Sequence, residues 1–152
     1  MSKRLFKKFV KQSCKKIALE FLLNEKETLS KLDNLSYKSL DTQKYLKSKK
    51  ISTRQKKLIF RLRTRMINVG KNFGKTDLCP LCKMHQDDQK GILDCFILKM
   101  NCKELYDIKD EKYEHIFSTN IEHLNNISKL MQKCIRKREE ILYLKKQQQQ
   151  QQ

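Results

Sequence analysis

Hydrophobic residues recur at three- and four-residue steps in three stretches of the chain, which is the spacing of amphipathic helices. The first stretch runs from residue 3 to about 25, and its apolar positions are Leu5, Phe6, Phe9, Val10, Cys14, Ile17, Ala18, Phe21 and Leu22. The second runs from 53 to about 68, where Ser52 and Gln55 have capping-box spacing. The third runs from about 120 to 145, with Ile121, Leu124, Ile127, Met131, Cys134, Ile135, Ile141 and Leu142 on one face. The pattern predicts three main helices.

The segments between these helices are less regular. Residues 32–50, with Tyr37, Leu40, Tyr45 and Leu46, indicate a connector with one short helix. Three Gly and one Pro in 152 residues leave too few turns for a sandwich or barrel of short strands. We therefore predict a mainly α, small helical protein with an irregular Cys-rich insertion between helices. Its regions are a basic helical part (1–68), a Cys-rich segment (69–102), a C-terminal helical part (103–146) and a disordered polyglutamine tail (147–152).

Positive charge is concentrated in the N-terminal half. The chain has 35 Lys+Arg and 17 Asp+Glu, a net charge of +18. Residues 1–67 hold 20 basic and 5 acidic residues (+15), whereas 68–152 hold 15 and 12 (+3). This balance favours anionic partners such as nucleic acid or an acidic membrane surface, and it argues against an enzyme for small neutral substrates. No apolar run is long enough for a membrane span.

Arginines in the second helix are the sharper electrostatic signal, because Lys enrichment alone can follow from AT-rich coding sequence. On a helical wheel Leu58, Leu62 and Met66 form one stripe, with a basic stripe beside it. Arginine suits bidentate phosphate contacts, which carry little sequence specificity. The candidate nucleic-acid-binding residues are Arg54, Lys57, Arg61, Arg63 and Arg65 there, and Lys7, Lys11 and Lys15 on the first helix, where a merely solvated face is an equal alternative. Phe73 could stack on an unpaired base or pack against the Cys-rich loop.

The Cys-rich segment predicts a zinc-knuckle-like metal site. Cys79-Pro-Leu-Cys82 is the turn by which two thiolates share one tetrahedral Zn²⁺. Cys95 and Cys102 can complete the set, and His85 could replace one of them. The alternative is that Cys95 is a buried apolar thiol and no metal is held. Cys14 and Cys134 lie on apolar helix faces, which indicates core positions.

Catalytic signatures are missing from the sequence. It contains no metalloprotease, nucleophile-elbow or phosphate-loop motif. His115 and His123 flank the start of the third helix in polar surroundings, and Asp87 and Asp88 indicate a charged loop. We therefore expect a protein that is not an enzyme.

Several strings together resemble the C-terminal tail of non-LTR retrotransposon reverse transcriptases. They are Leu58-Ile-Phe-Arg-Leu-Arg-Thr-Arg-Met66, Leu78-Cys-Pro-Leu-Cys82, Asp87-Asp-Gln and Ile92-Leu-Asp-Cys95, with looser matches at Lys31-Leu-Asp-Asn-Leu-Ser-Tyr37, Gln43-Lys-Tyr45, Tyr113-Glu-His-Ile-Phe117 and Arg138-Glu-Glu-Ile-Leu. In that family the tail carries a Cys-Cys-His-Cys zinc knuckle that is thought to help hold template RNA or target DNA.

The resemblance implies that Cys79, Cys82 and Cys95 are three of the zinc ligands. The family's histidine falls on Gly91, which has no side chain, so either His85 or Cys102 supplies the fourth donor or the chain has lost tight zinc binding. The polymerase carboxylates and the endonuclease domain of the family are missing from this sequence.

We therefore expect a non-catalytic fragment of retroelement origin that binds RNA or DNA with low sequence specificity. The alternatives are a helical interaction module that uses the apolar stripe of the third helix to hold a protein partner, and a retrotransposon relic without selected activity. Six Cys without a secretory signal indicate an intracellular protein, nuclear or cytoplasmic. The first nineteen residues, which are basic and free of acids, leave a mitochondrial presequence as a minor alternative.

Overall fold

The structure, a computed structural model, describes residues 2–25, 43–103 and 111–151, with side chains of the first stretch as far as residue 21. The chain divides into two compact units, Met1–Gln43 and Lys44–Gln152. The described residues are mainly helical and contain no β-strand, which confirms the predicted fold class. None of the described helices is both long enough and apolar enough to cross a bilayer.

In the first unit, the described part consists of the predicted helix α1 (Lys3–Glu25) alone. Most of its described apolar side chains lie exposed, Phe6 and Phe21 among them, and Leu19 is half-buried. Cys14 is also exposed, which corrects the expectation of a core position. An amphipathic helix buries its apolar face only against another element, and no such element belongs to the described residues of this unit. Most of the predicted connector, including Tyr37 and Leu40, lies outside the described residues.

The second unit begins with two helices, α2 (Lys44–Lys47) and α3 (Thr53–Arg63). Ser52 caps α3 as predicted, because its hydroxyl accepts from the Gln55 N–H and the Gln55 side chain accepts from the Ser52 N–H. The helix ends earlier than predicted, and Arg65 adopts a left-handed φ of 53°. Met66 therefore leaves the helical stripe and is half exposed.

The Cys-rich region follows a 3₁₀ turn, Gly70–Phe73, and contributes two short helices, α4 (Gly91–Asp94) and α5 (Phe96–Asn101). A second 3₁₀ turn, Tyr113–Phe117, leads into the long helix α6 (Ile121–Gln150). The N-terminus of α6 is capped by Asn120, whose side-chain oxygen accepts from the N–H groups of Glu122 and His123.

The core forms where α6 packs against α3 and the Cys-rich region. Ile127 and Met131 of α6 are fully buried in one cluster with Leu62 of α3 and with Cys95. Cys134 is buried there as predicted, and Leu124 lies in a second, smaller cluster. The α6 stripe that could have held a protein partner is therefore occupied by the chain's own core.

Helix α6 continues through the glutamine tract as far as Gln150, where the sequence predicts disorder. Glutamine is a good helix former, and each residue added to an existing helix gains one backbone hydrogen bond without a new nucleus. The glutamines are exposed throughout the described part of the tract.

Polar side chains next to the Cys-rich loop also belong to the core. Asp87, expected in a charged loop, is buried and pairs with Arg138 of α6 at 2.7 Å, while its other oxygen accepts from the Gly70 N–H at 2.8 Å. The Gln89 side chain donates to the Leu62 carbonyl at 2.9 Å. These bonds fix the Cys-rich loop between α3 and α6.

Candidate metal centre and basic surface

Four side chains converge in the Cys-rich region: Cys79, Cys82, His85 and Cys95. Their donor atoms all lie within 4.8 Å of one another. The sulfur atoms of Cys79 and Cys95 are 3.9 Å apart. Two thiolates on one tetrahedral Zn²⁺ are separated by about 3.8 Å, given Zn–S bonds of about 2.3 Å. This Cys₃His cluster, the candidate metal centre, could therefore hold a metal ion.

Backbone hydrogen bonds curl the loop from Cys79 to His85 around the candidate metal centre. The N–H of Lys83 donates to the Cys79 carbonyl at 2.9 Å, and Lys83 takes a left-handed φ of 59°. The N–H of Cys79 in turn donates to the His85 carbonyl at 2.7 Å, beside an antiparallel bridge between Leu78 and Gln86. Cys95 lies between α4 and α5, so a separate segment closes the cluster.

The two ring nitrogens of His85 have different surroundings. Its Nδ1 lies 2.8 Å from the Gln86 carbonyl, so this nitrogen carries the proton and donates. Its Nε2 is buried and has no hydrogen-bond partner in the described part of the chain. Ligating histidines commonly hold one ring nitrogen to a carbonyl in this way and present the other to the metal. A buried, unpartnered nitrogen beside three thiols fits a metal ligand.

The structure thus distinguishes between the two candidates for the fourth donor. His85 joins the cluster, whereas Cys102 is buried at the end of α5 and is not one of the four converging donors. A Cβ atom placed on Gly91 would lie 2.5 Å from Nδ1 of His85. The ring thus occupies the space beside the position where the family resemblance expects the histidine, and only glycine leaves that space open.

The thiols differ in how readily they ionise. Burial raises the pKa of the Cys95 thiol to about 11, and the nearby Cys79 sulfur adds to the effect. Burial also opposes ionisation of Cys82, yet the Met84 N–H and the sulfurs of Cys79 and Cys95 outweigh it and lower the pKa of Cys82. A bound divalent cation deprotonates coordinating thiols outright.

A basic surface lies in the same unit. Residues 44–76 contain twelve Lys and Arg and no Asp or Glu. Arg54, Lys57 and Arg61 are exposed along one side of α3, whereas Ile59 and Leu62 are buried on the other. We call these three residues the α3 basic face. No carboxylate among the described residues forms an ion pair with them.

Arg63, a predicted phosphate contact, is buried instead. Its guanidinium donates to the carbonyls of Ile116 at 2.8 Å and Ser118 at 3.1 Å, and it lies over the Tyr45 ring. Burial lowers the pKa of Arg63, and the Tyr45 hydroxyl opposes this. Arg63 therefore holds the Tyr113–Phe117 turn and is not available to phosphate. Its spacing of four residues from Ile59 was a sequence signal for this position.

The remaining predicted residues lie in varied surroundings. Arg65 is half-buried beyond the end of α3, so it does not extend the α3 basic face. Phe73 is 58% exposed. In the first unit, Lys7 and Lys11 are exposed and Lys15 is half-buried.

Comparison of the chain with models of known protein families, with curated protein sequences and with solved structures finds no match.

Proposed function

We propose that this chain is a non-catalytic nucleic-acid-binding protein, in which a zinc knuckle stabilises a helical unit whose α3 basic face contacts phosphates. The observation that carries the proposal is the α3 basic face itself: Arg54, Lys57 and Arg61 are exposed side by side in a stretch of 33 residues, 44–76, without a single acid. Such a surface has no internal counterion among the described residues, so it favours an anionic partner.

The metal in this proposal is Zn²⁺, held by Cys79, Cys82, Cys95 and Nε2 of His85. Three thiolates and one imidazole form a donor set typical of structural zinc. Four protein ligands leave no position open for a substrate, so the ion would supply folding free energy rather than catalysis. It would tie the loop at Cys79 to the start of α5.

The resemblance to the tail of non-LTR retrotransposon reverse transcriptases supports the same proposal, because that tail is thought to hold RNA or DNA next to a knuckle. Retroelement origin is part of the proposal. The chain has no counterpart of the family's catalytic carboxylates, so we propose binding without chemistry.

Binding would be electrostatic. Each phosphate neutralised by Lys or Arg releases condensed counterions, and the affinity for duplex DNA then falls with salt with a slope of about −0.9 per contact. Phosphate contacts fix position without reading bases, so sequence specificity should be low.

The test is fluorescence anisotropy with labelled single-stranded RNA and duplex DNA across a salt series. The variant is Arg54→Glu with Lys57→Glu and Arg61→Glu. The matched control is Lys129→Glu with Arg136→Glu and Lys145→Glu, three exposed residues of α6, so that both variants change net charge equally. We expect the first variant to weaken binding to all sequences and to reduce the salt slope on duplex DNA by about 2 to 3.

Two outcomes would refute this part of the proposal. Equal weakening in both variants would mean that binding follows net charge and not the α3 basic face. No binding at low salt would exclude nucleic acid as the partner. The zinc part has its own test by elemental analysis. One equivalent of tightly bound zinc should be retained in Cys102→Ser and lost in Cys79→Ser with Cys82→Ser. An unchanged zinc content in the double variant would refute the knuckle.

A further inference from the structure

A second group of potential metal ligands lies outside the candidate metal centre. Donor atoms of Glu111, His115 and His123 all lie within 4.8 Å of one another. One Glu111 oxygen is 2.7 Å from Nδ1 of His115, and the other is 3.5 Å from Nδ1 of His123. The two imidazole rings have centroids 4.4 Å apart. Two nitrogens and a carboxylate thus face one small volume.

The two histidines differ in their hydrogen bonding. Nδ1 of His115 is hydrogen-bonded to Glu111 and also lies 3.2 Å from the Lys112 N–H. Nδ1 of His123 is buried and has no hydrogen-bond partner among the described residues, since 3.5 Å from Glu111 is too long for a good one. Donors at about 2.0–2.1 Å from a tetrahedral ion are about 3.3 Å apart. The two distances from the histidine nitrogens to the Glu111 oxygens lie on either side of this value. A metal would give the unpartnered nitrogen a ligand bond.

The three side chains are also held in place by the fold. His123 lies in the first turn of α6, which Asn120 caps. His115 lies in the 3₁₀ turn, and the buried Arg63 side chain donates to the carbonyls of Ile116 and Ser118 just after His115. The Glu111 side chain is only 8% exposed and accepts from the Asn126 amide at 3.3 Å. Little reorganisation is therefore needed to form a site.

We propose that Glu111, His115 and His123 bind a second divalent ion of the zinc class through two imidazoles and one carboxylate. Imidazole donors select Zn²⁺, Co²⁺ or Ni²⁺, whereas Mg²⁺ and Ca²⁺ prefer oxygen donors alone. The proton shared by His115 and Glu111 would leave to solvent when the ion binds. With three protein ligands and a His123 side chain that is 42% exposed, at least one coordination position faces solvent. This inference does not depend on nucleic-acid binding.

The experiment uses the full chain purified with one zinc in the candidate metal centre and titrated with Co²⁺. Thiolate ligands give cobalt an intense charge-transfer absorption in the near ultraviolet, which a nitrogen and oxygen site cannot produce. We expect one further Co²⁺ per chain, with weak d–d bands and without thiolate charge transfer. His123→Ala, and separately Glu111→Gln, should weaken this second binding by more than about 100-fold, because even outer-shell losses cost 10–100-fold. Glu139→Gln, at an exposed residue of α6 that belongs to neither group of potential ligands, should leave it unchanged.

A chain that binds no second ion would overturn the proposal. So would second binding that His123→Ala and Glu111→Gln leave unaltered, or a second ion with thiolate charge transfer. Far-UV circular dichroism identifies a variant that has unfolded, and Glu111→Gln, which keeps the side-chain shape, then decides the outcome.

Discussion

Replacing Gly91 by alanine should separate metal binding from folding at the candidate metal centre. The added methyl group would lie 2.5 Å from Nδ1 and 2.7 Å from Cε1 of His85. Gly91 has no left-handed φ, so alanine causes no backbone strain there. Alanine is also the better helix former by about 1 kcal/mol, and Gly91 begins α4. The methyl group would also lie 3.0 Å from Oδ1 of Asp88, which is a tight contact, so the main damage is expected at the closer ring of His85.

The size of the displacement sets the size of the effect. Ordinary contacts with a Cβ atom begin at 3.4 Å, so the ring must retreat by the difference from 2.5 Å, which is 0.9 Å. Zinc–ligand distances tolerate only about 0.2 Å. His85 would then cease to be a ligand, and we expect zinc affinity to fall by more than about 100-fold, since loss of an outer-shell partner alone costs 10–100-fold.

Competition with a chromophoric zinc chelator measures this affinity. The control is Gly91→Ala in a His85→Ala background, where the ring is gone and the methyl group should cost nothing further. His85→Ala with Gly91→His tests whether a ligand at position 91 restores binding. Wild-type zinc affinity in Gly91→Ala would refute the assignment of His85 as the fourth ligand.

Three further predictions concern stability, each measured by urea unfolding followed by far-UV circular dichroism. Arg138→Met should lower the free energy of unfolding by about 3–5 kcal/mol, because it leaves the Asp87 carboxylate buried without its partner. The control, Arg136→Met at an exposed position, should lower it by less than about 0.5 kcal/mol. Equal losses in the two variants would contradict the role of the buried pair. Burial alone would raise the pKa of Glu111, but hydrogen bonds from His115 and Asn126, together with the nearby His123 ring, lower it. The ionised carboxylate therefore stabilises the fold above its unfolded pKa of about 4.3, and this contribution is lost as the pH falls through the lower folded pKa. The difference in unfolding free energy between wild type and Glu111→Gln should then become smaller in acid. A difference that stays constant with pH would contradict this. Ser52→Ala should lower the free energy of unfolding by about 1 kcal/mol, because the N-terminal cap of α3 is lost. An unchanged free energy of unfolding would show that the capping box is dispensable.

Local signals in the sequence predicted much of the fold. The helical spacing of apolar residues located α1, α3 and α6, and the Ser52–Gln55 spacing gave the start of α3, because both depend on contacts within a few residues. The end of α3 could not be predicted as well. The left-handed turn at Arg65 contains no glycine or proline, which are the residues that usually mark such a turn in a sequence.

Contacts between distant segments could not be predicted in the same way. Asp87 and Arg138 are 51 residues apart, and no local pattern links them. Cys102 and His85 fitted the cysteine spacing equally well, and only the path of the loop brings His85 to the cluster. Arg63 is different, because its spacing from the apolar residues of α3 could have indicated a buried position. Its positive charge led instead to the prediction of a phosphate contact.

The last turns of α6 have a consequence for how the chain can vary in length. From Tyr143 to Gln150 every residue of the helix is exposed, and none of these residues belongs to either described core cluster. Each glutamine gained or lost would change the length of the helix by about 1.5 Å and leave the packed unit untouched. A change in the number of glutamines would therefore alter how far the helix extends while leaving the stability of the core almost unchanged.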